Sequence, residues 1–146
     1  MRFFSDNAAP AHPAVMAALG RADPADTAYD GDALSRSLDK RLSDLFGAPA
    51  TALWVTTGTA ANALALAALC PPTGAVLCHE DGHINVDEGG APERVGGMKL
   101  LTMATPDGKL TPELIRAEAG GRGDEHRAQP LVVSITQSTE LGTVYT

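Results

Sequence analysis

The run Thr56-Thr57-Gly58-Thr59 lies between the strand-like Leu53-Trp54-Val55 and the Ala/Leu-rich stretch 60–69. A turn from strand to helix leaves backbone N–H groups unpaired at the helix N-terminus. Those donors, with the helix dipole, favour an anion and phosphate above all. Gly58 allows close approach to the backbone, and Thr57 and Thr59 add hydroxyls. No lysine follows, so the nucleoside-triphosphate loop pattern is absent. A threonine N-cap with a glycine-permitted turn accounts for the same residues equally well. The second chemical group is His83, within "HEDGHINVDEGGAPE" at 79–93. Histidine can hold or move a proton near neutral pH. The turn at 57–59 and the loop carrying His83 each follow a strand-like run. In an open α/β sheet such loops share the carboxyl edge, where ligands collect. Asp87-Glu88 reads as a solvated pair, and Trp54 as a packing residue.

The elements that would hold these groups alternate. Residues 13–19 predict a short helix with Pro13 in its first turn and Gly20 as its end. Leu34, Leu38, Leu42 and Leu45 keep a helical period and predict a core-facing stripe, ended by Gly47. Strand 52–56 and helix 60–69 follow, then strand 75–79. Residues 80–98 admit a short helix, and 99–103 read as a strand. Thr111 and Pro112 open a further helix as N-cap and first position. Residues 120–130 form a loop, and 131–136 an apolar strand. The pattern is α/β, a mostly parallel sheet flanked by helices. The chain stops just after a strand, where a helix is expected, so an incomplete domain is anticipated. Helix 60–69 is apolar nearly all round and calls for burial on several sides.

Composition narrows the function. The chain has 146 residues, with 11 Lys plus Arg against 18 Asp plus Glu and a net charge of -7. That balance argues against nucleic acid and against an anionic membrane surface. The longest apolar run is too short to span a bilayer. Cys70 and Cys78 sit in apolar runs, as buried thiols of a reducing cytoplasm do. No metal-ligand spacing is present.

Six segments taken together resemble one family. They are "FFSDN" (3–7), "AYDGD" (28–32), "TGTAANALALAAL" (57–69), "HEDGHINVDEGGAPE" (79–93), "GKLTPELIR" (108–116) and "SITQSTELGTVYT" (134–146). In order and content they are similar to the N-terminal part of the low-specificity L-threonine aldolases. Those are pyridoxal 5'-phosphate enzymes of the aspartate-aminotransferase fold type, fold type I. One departure is visible: many relatives have Gly directly after the tyrosine of 28–32, whereas here Asp30 precedes Gly31.

The resemblance implies that residues 1–146 are the N-terminal portion of the cofactor-binding large domain. It implies a lyase that cleaves a β-hydroxy-α-amino acid to glycine and an aldehyde, with the cofactor as electron sink. Gly58 and Thr59 would hold the cofactor phosphate with Thr57 beside them, and Asn62 would support that loop. His83 would stack on the pyridine ring. Ser5 would lie near the substrate carboxylate, and Tyr29 would contact substrate. Glu88 would join a water-mediated proton relay. His126 would be a second substrate-facing histidine, reaching a neighbouring subunit's site in a homotetramer.

None of Lys40, Lys99 and Lys109 matches the family's cofactor-binding lysine, so the chain alone is expected to be inactive. Two other readings compete: a β-eliminating lyase of the tryptophanase type, and a non-catalytic fragment that binds phosphate or a partner chain.

Overall fold

The computed structural model describes residues 8–146; Ser5 and the rest of "FFSDN" lie outside the described residues. The chain divides into two compact units, Met1–Leu53 and Trp54–Thr146.

Among the described residues, the first unit carries two α-helices. Helix α1 (Pro13–Ala22) begins on His12, whose Nδ1 accepts the Ala14 N–H at 3.2 Å. It runs through Gly20, which was expected to end it, and stops before Pro24, which has no N–H to give to a further turn. Helix α2 (Ala33–Phe46) is capped by Asp32, whose carboxylate accepts from both the N–H and the hydroxyl of Ser35. Those bonds hold the Asp32 carboxyl below its ordinary range, the Ser35 hydroxyl contributing most. Gly47 ends α2 at φ 66, the left-handed conformation that glycine adopts without strain.

The leucine stripe of α2 is not core within this unit. Leu38 and Leu42 are half-buried, while Leu34 and Leu45 are exposed. The amphipathic pattern is present, but two helices supply no second layer deep enough to cover it.

Residues 52–56, expected as a strand, pair with no strand among the described residues, and Trp54 is 82% exposed rather than packed. An extended segment becomes a strand only by hydrogen bonding to a neighbour, whatever its propensity.

The second unit is a three-stranded parallel sheet with helices on both faces. In chain order it contains α3 (Gly58–Leu69), β1 (Gly74–His79), α4 (His83–Val86), α5 (Ala91–Gly96), β2 (Lys99–Met103), α6 (Pro112–Glu118) and β3 (Gln129–Val133). The strand order is β2-β1-β3, with both pairings parallel. The central strand β1 is buried at every position.

Strand periodicity explains how β1 serves two cores. Val76 and Cys78 point to one face, into a cluster with Leu66 and Cys70 from the α3 end, Ile84 and Met98. Leu77 points to the other face, where it meets Met103 and Leu110, with Leu101, Leu114 and Ile115 packed alongside. The alanines of α3 permit α5 to approach closely. A Cβ on Gly96 would lie 3.3 Å from the Ala67 Cα. Only one side of α3 is covered: Ala63 and Leu66 are buried, while Leu64 and Leu69 are exposed.

Strand β3 starts two residues earlier than its apolar run and ends at Val133. Its register with β1 shifts between Ala75 and Val76. Pro130 lies at that shift and cannot donate to the ladder. Ser134 lies past the strand end, yet its N–H still reaches the Leu77 carbonyl at 2.8 Å. Both cysteines are free and buried. Burial pushes the Cys78 thiol up to about 11, with Glu93 adding to the rise, and pushes Cys70 up as well.

Candidate active site

The cap at α3 uses one of the residues singled out from the sequence. Thr57 is extended (φ -143), and its Oγ1 accepts the Ala60 N–H at 3.1 Å. The helix therefore begins at Gly58 rather than near Ala60, and Gly58 and Thr59 form its first turn. The N–H groups of a first turn have no partner inside the helix. Thr57 satisfies that of Ala60, which leaves those of Gly58 and Thr59 for an acceptor outside the helix.

Gly58 and Asn62 line a cleft of about 400 Å³ together with His83, Ile84, Ser134, Ile135, Thr136, Gln137 and Glu140. The cleft lies beyond the carboxyl ends of β1 and β3, since His83 follows β1 by four residues and Ser134 follows β3 directly. That is the edge at which parallel α/β sheets bind ligands.

His83 is held by buried chemistry. Its side chain is 51% exposed, while that of Glu88 is fully buried. Glu88 Oε1 lies 2.9 Å from His83 Nδ1 and accepts from Asn62 Nδ2 at 2.6 Å. A carboxylate facing Nδ1 places a proton on that nitrogen, and Nε2 has no hydrogen-bond partner among the described residues. Glu88 Oε2 is buried without a partner among the described residues. Asp87-Glu88 is thus not a solvated pair: Asp87 is exposed, but Glu88 is interior. Asn62, expected to support the phosphate turn, ties α3 to Glu88.

Within the second unit, His126 does not line this cleft. His126 has a side chain 87% exposed and lines a separate groove with Lys99, Arg127 and Pro130, at the amino ends of β2 and β3. Tyr29 belongs to the first unit, where it is fully exposed. Tyr29 and Asp30 both adopt positive φ (56 and 58), an uncommon conformation for residues other than glycine. Ser5 lies outside the described residues. Among the described residues of the second unit, no lysine lines the cleft. Lys40 pairs with Asp44 at 2.6 Å, Lys109 with Asp107 at 3.3 Å, and Lys99 lies in the groove at the opposite edge. Among the described residues no cluster suited to a metal ion occurs, and no helix is long and apolar enough to cross a membrane.

Sequence reasoning missed Ser134, Thr136, Gln137 and Glu140. They follow β3 at the carboxyl edge, and the edge rule that picked out His83 applies to them equally.

A parallel sheet covered on both faces, with a helix N-terminus and a histidine meeting at its carboxyl edge, defines an α/β domain with a candidate binding cleft. The Beta-eliminating lyase family model matches residues 2–146, and the chain belongs to that family. Its members are pyridoxal-phosphate-dependent enzymes. Among curated relatives, the chain is 42% identical over 146 residues to the low specificity L-threonine aldolase of Pseudomonas aeruginosa. It is 41% identical to that of Pseudomonas sp. (strain NCIMB 10558). Each match takes in 99% of this chain, and the chain spans 42% of the relative's length. A solved structure of threonine aldolase from Leishmania major superposes with a TM-score of 0.86 at 30% identity, covering 98% of this chain and 42% of that one.

The cleft fits pyridoxal phosphate on its own chemistry. The Gly58 N–H, which has no partner among the described residues, and the positive end of a 12-residue helix suit a phosphate. A half-exposed imidazole on the same cleft suits a flat heteroaromatic ring.

Proposed function

We propose that this chain provides the phosphate-binding and ring-facing part of a pyridoxal-phosphate site in an aldolase. That enzyme would cleave threonine-type β-hydroxy-α-amino acids to glycine and an aldehyde. The observation that carries the reading is the meeting of Gly58, Asn62 and His83 on one cleft at the carboxyl edge of the sheet. Two relatives above 40% identity named as threonine aldolases favour aldol cleavage over β-elimination.

Bound in the cleft, the cofactor would supply an electron sink for the bond broken in the amino acid. The chain's own residues do the rest. The N–H groups of Gly58 and Thr59 bind the phosphate, with the Thr57 hydroxyl keeping the helix start in place. His83 lies against the ring, oriented through Nδ1 by Glu88, while Asn62 keeps Glu88 Oε1 in position. Nε2 of His83 is then free to hold or move a proton at the substrate hydroxyl, directly or through water.

Ser5 and Tyr29 are assigned to substrate contact. His126 is assigned to the site of a second copy, a role supported by its exposure at the edge away from this cleft. Exposed Leu64, Leu69, Leu131 and Val133 support association into a homo-oligomer, with a tetramer as the family-like form. Two free buried thiols support a cytoplasmic setting. With no lysine on the cleft, residues 1–146 bind the cofactor without covalent attachment and are inactive alone. They are the N-terminal portion of the cofactor-binding domain.

The test is a titration of the chain with pyridoxal phosphate and, separately, with pyridoxal. Binding of the phosphate ester should be at least tenfold tighter and should weaken in His83→Ala. Borohydride should fix no cofactor to a lysine, and no glycine should appear from threonine. Equal affinity for the two compounds would overturn the phosphate site. Turnover of threonine would overturn the claim of inactivity.

A further inference from the structure

Helix α4 is a single turn, too short to persist without external support. Its N-cap is Gly82, which has no side chain with which to cap it. The first N–H of α4, that of His83, donates instead to Glu140 Oε1 at 2.8 Å, across 57 residues of sequence. Glu140 lines the same cleft as His83.

The mount beneath Glu140 is firm. Thr139 is buried, and its N–H donates to the Thr143 carbonyl at 2.9 Å. The Gly142 N–H returns to the Thr139 carbonyl at 2.9 Å. The Thr139 and Thr143 hydroxyls are 2.7 Å apart, and Thr143 Oγ1 donates to the Asp107 carbonyl at 2.5 Å. A Cβ on Gly108 would lie 3.1 Å from Thr139, so the turn is packed against the loop that follows β2.

We propose that Glu140 is a positioning residue. It caps α4 from outside and sets where the His83 ring stands over the cleft. His83 is then fixed at two points, its ring by Glu88 and its main chain by Glu140. The inference rests on the reading of His83 as the ring-facing residue of a cofactor site, and it adds the residue that fixes the ring's position.

The test uses the 146-residue chain, labelled with ¹⁵N, with Glu140→Ala and Glu140→Gln. Amide exchange at His83 should be about tenfold faster in E140A, the scale of a lost cap. Exchange at Val76 and Leu77 should not change. Glutamine keeps an acceptor oxygen, so E140Q should restore His83 protection to within about twofold. Pyridoxal phosphate affinity and the induced circular dichroism of the bound cofactor should fall in E140A and recover in E140Q. Should E140A fail to fold, Glu140→Asp, whose arm is one methylene shorter, carries the same expectation. Unchanged exchange at His83 in the Ala or Asp variant overturns the proposal, as does an E140Q that behaves like E140A. If E140A speeds exchange but neither it nor His83→Ala weakens cofactor binding, the positioning role stands and the cofactor reading falls.

Discussion

Removing the buried carboxylate at Glu88 separates its structural role from its role toward His83. Glu88→Ala deletes the acceptor of two hydrogen bonds, from Asn62 at 2.6 Å and with His83 Nδ1 at 2.9 Å. The Asn62 bond is to a fully buried carboxylate and is worth about 1.5–3 kcal/mol. His83 is half-exposed and recovers much of its loss from water, so its share is about 0.5 kcal/mol. Against this, Glu88 Oε2 is buried with no partner among the described residues, and removing that oxygen returns about 1 kcal/mol. The net expectation for E88A is a loss of about 2 kcal/mol. Glu88→Gln keeps an oxygen for Asn62 and His83 but places an NH2 where Oε2 had no partner, so its expected loss is about 1 kcal/mol. Urea denaturation followed by far-ultraviolet circular dichroism gives both values. The His83 ring resonances should broaden or shift in E88A and stay near their original positions in E88Q. Loss below about 0.5 kcal/mol in E88A, or a larger loss in E88Q than in E88A, would refute a buried carboxylate accepting from both partners.

The α3 cap predicts that Thr57→Ala destabilises the chain by about 1 kcal/mol in the same denaturation assay and weakens pyridoxal phosphate binding, while Thr57→Ser does neither. Cys78 supplies a pH dependence. Its thiol is raised by burial from an ordinary 9.0 to about 11, so between those values the folded state holds the proton longer than the unfolded state. Unfolding free energy should therefore fall as pH rises through that window, by up to about 1.4 kcal/mol per unit, and Cys78→Ala should flatten the curve. A flat wild-type profile above pH 9 would count against the burial of this thiol.

The sequence disclosed those parts of the molecule that are settled locally. Gly47 ends α2 in a left-handed conformation, and Thr57 and Thr111 cap the helices that follow them, as short-range grammar predicts. Strands 75–79 and 99–103 were legible because an apolar run between turn residues has few other uses in an α/β chain. Segment 52–56 reads as a strand just as clearly, yet it has no partner among the described residues. Strand character is a property of pairs, and a one-dimensional pattern records only one member. The α2 stripe shows the same limit, since periodicity states which face seeks cover and not whether cover is at hand.

The cleft shows why site chemistry is harder still to read. His83 stood out because histidine is rare and the segment around it is rich in glycine. Glu88 and Glu140 are carboxylates in a chain with 18 acidic residues, and nothing in their immediate neighbours distinguishes them from solvated ones. What makes them different is burial in one case and a contact across 57 residues in the other. Both conditions are set by the sheet. Strand β1 delivers His83 to the carboxyl edge, and β3, paired beside it, delivers Glu140 to the same edge. Parallel pairing of two distant strands thus converts two unremarkable acids into the supports of one histidine. The glycine at 82 is the counterpart of that arrangement. A serine or aspartate there would set its Cβ 3.0 Å from the His79 carbonyl oxygen, so the tight turn after β1 excludes a local side-chain cap. With glycine in that position, the main-chain support of His83 comes from Glu140 beyond β3, while Glu88 holds the ring.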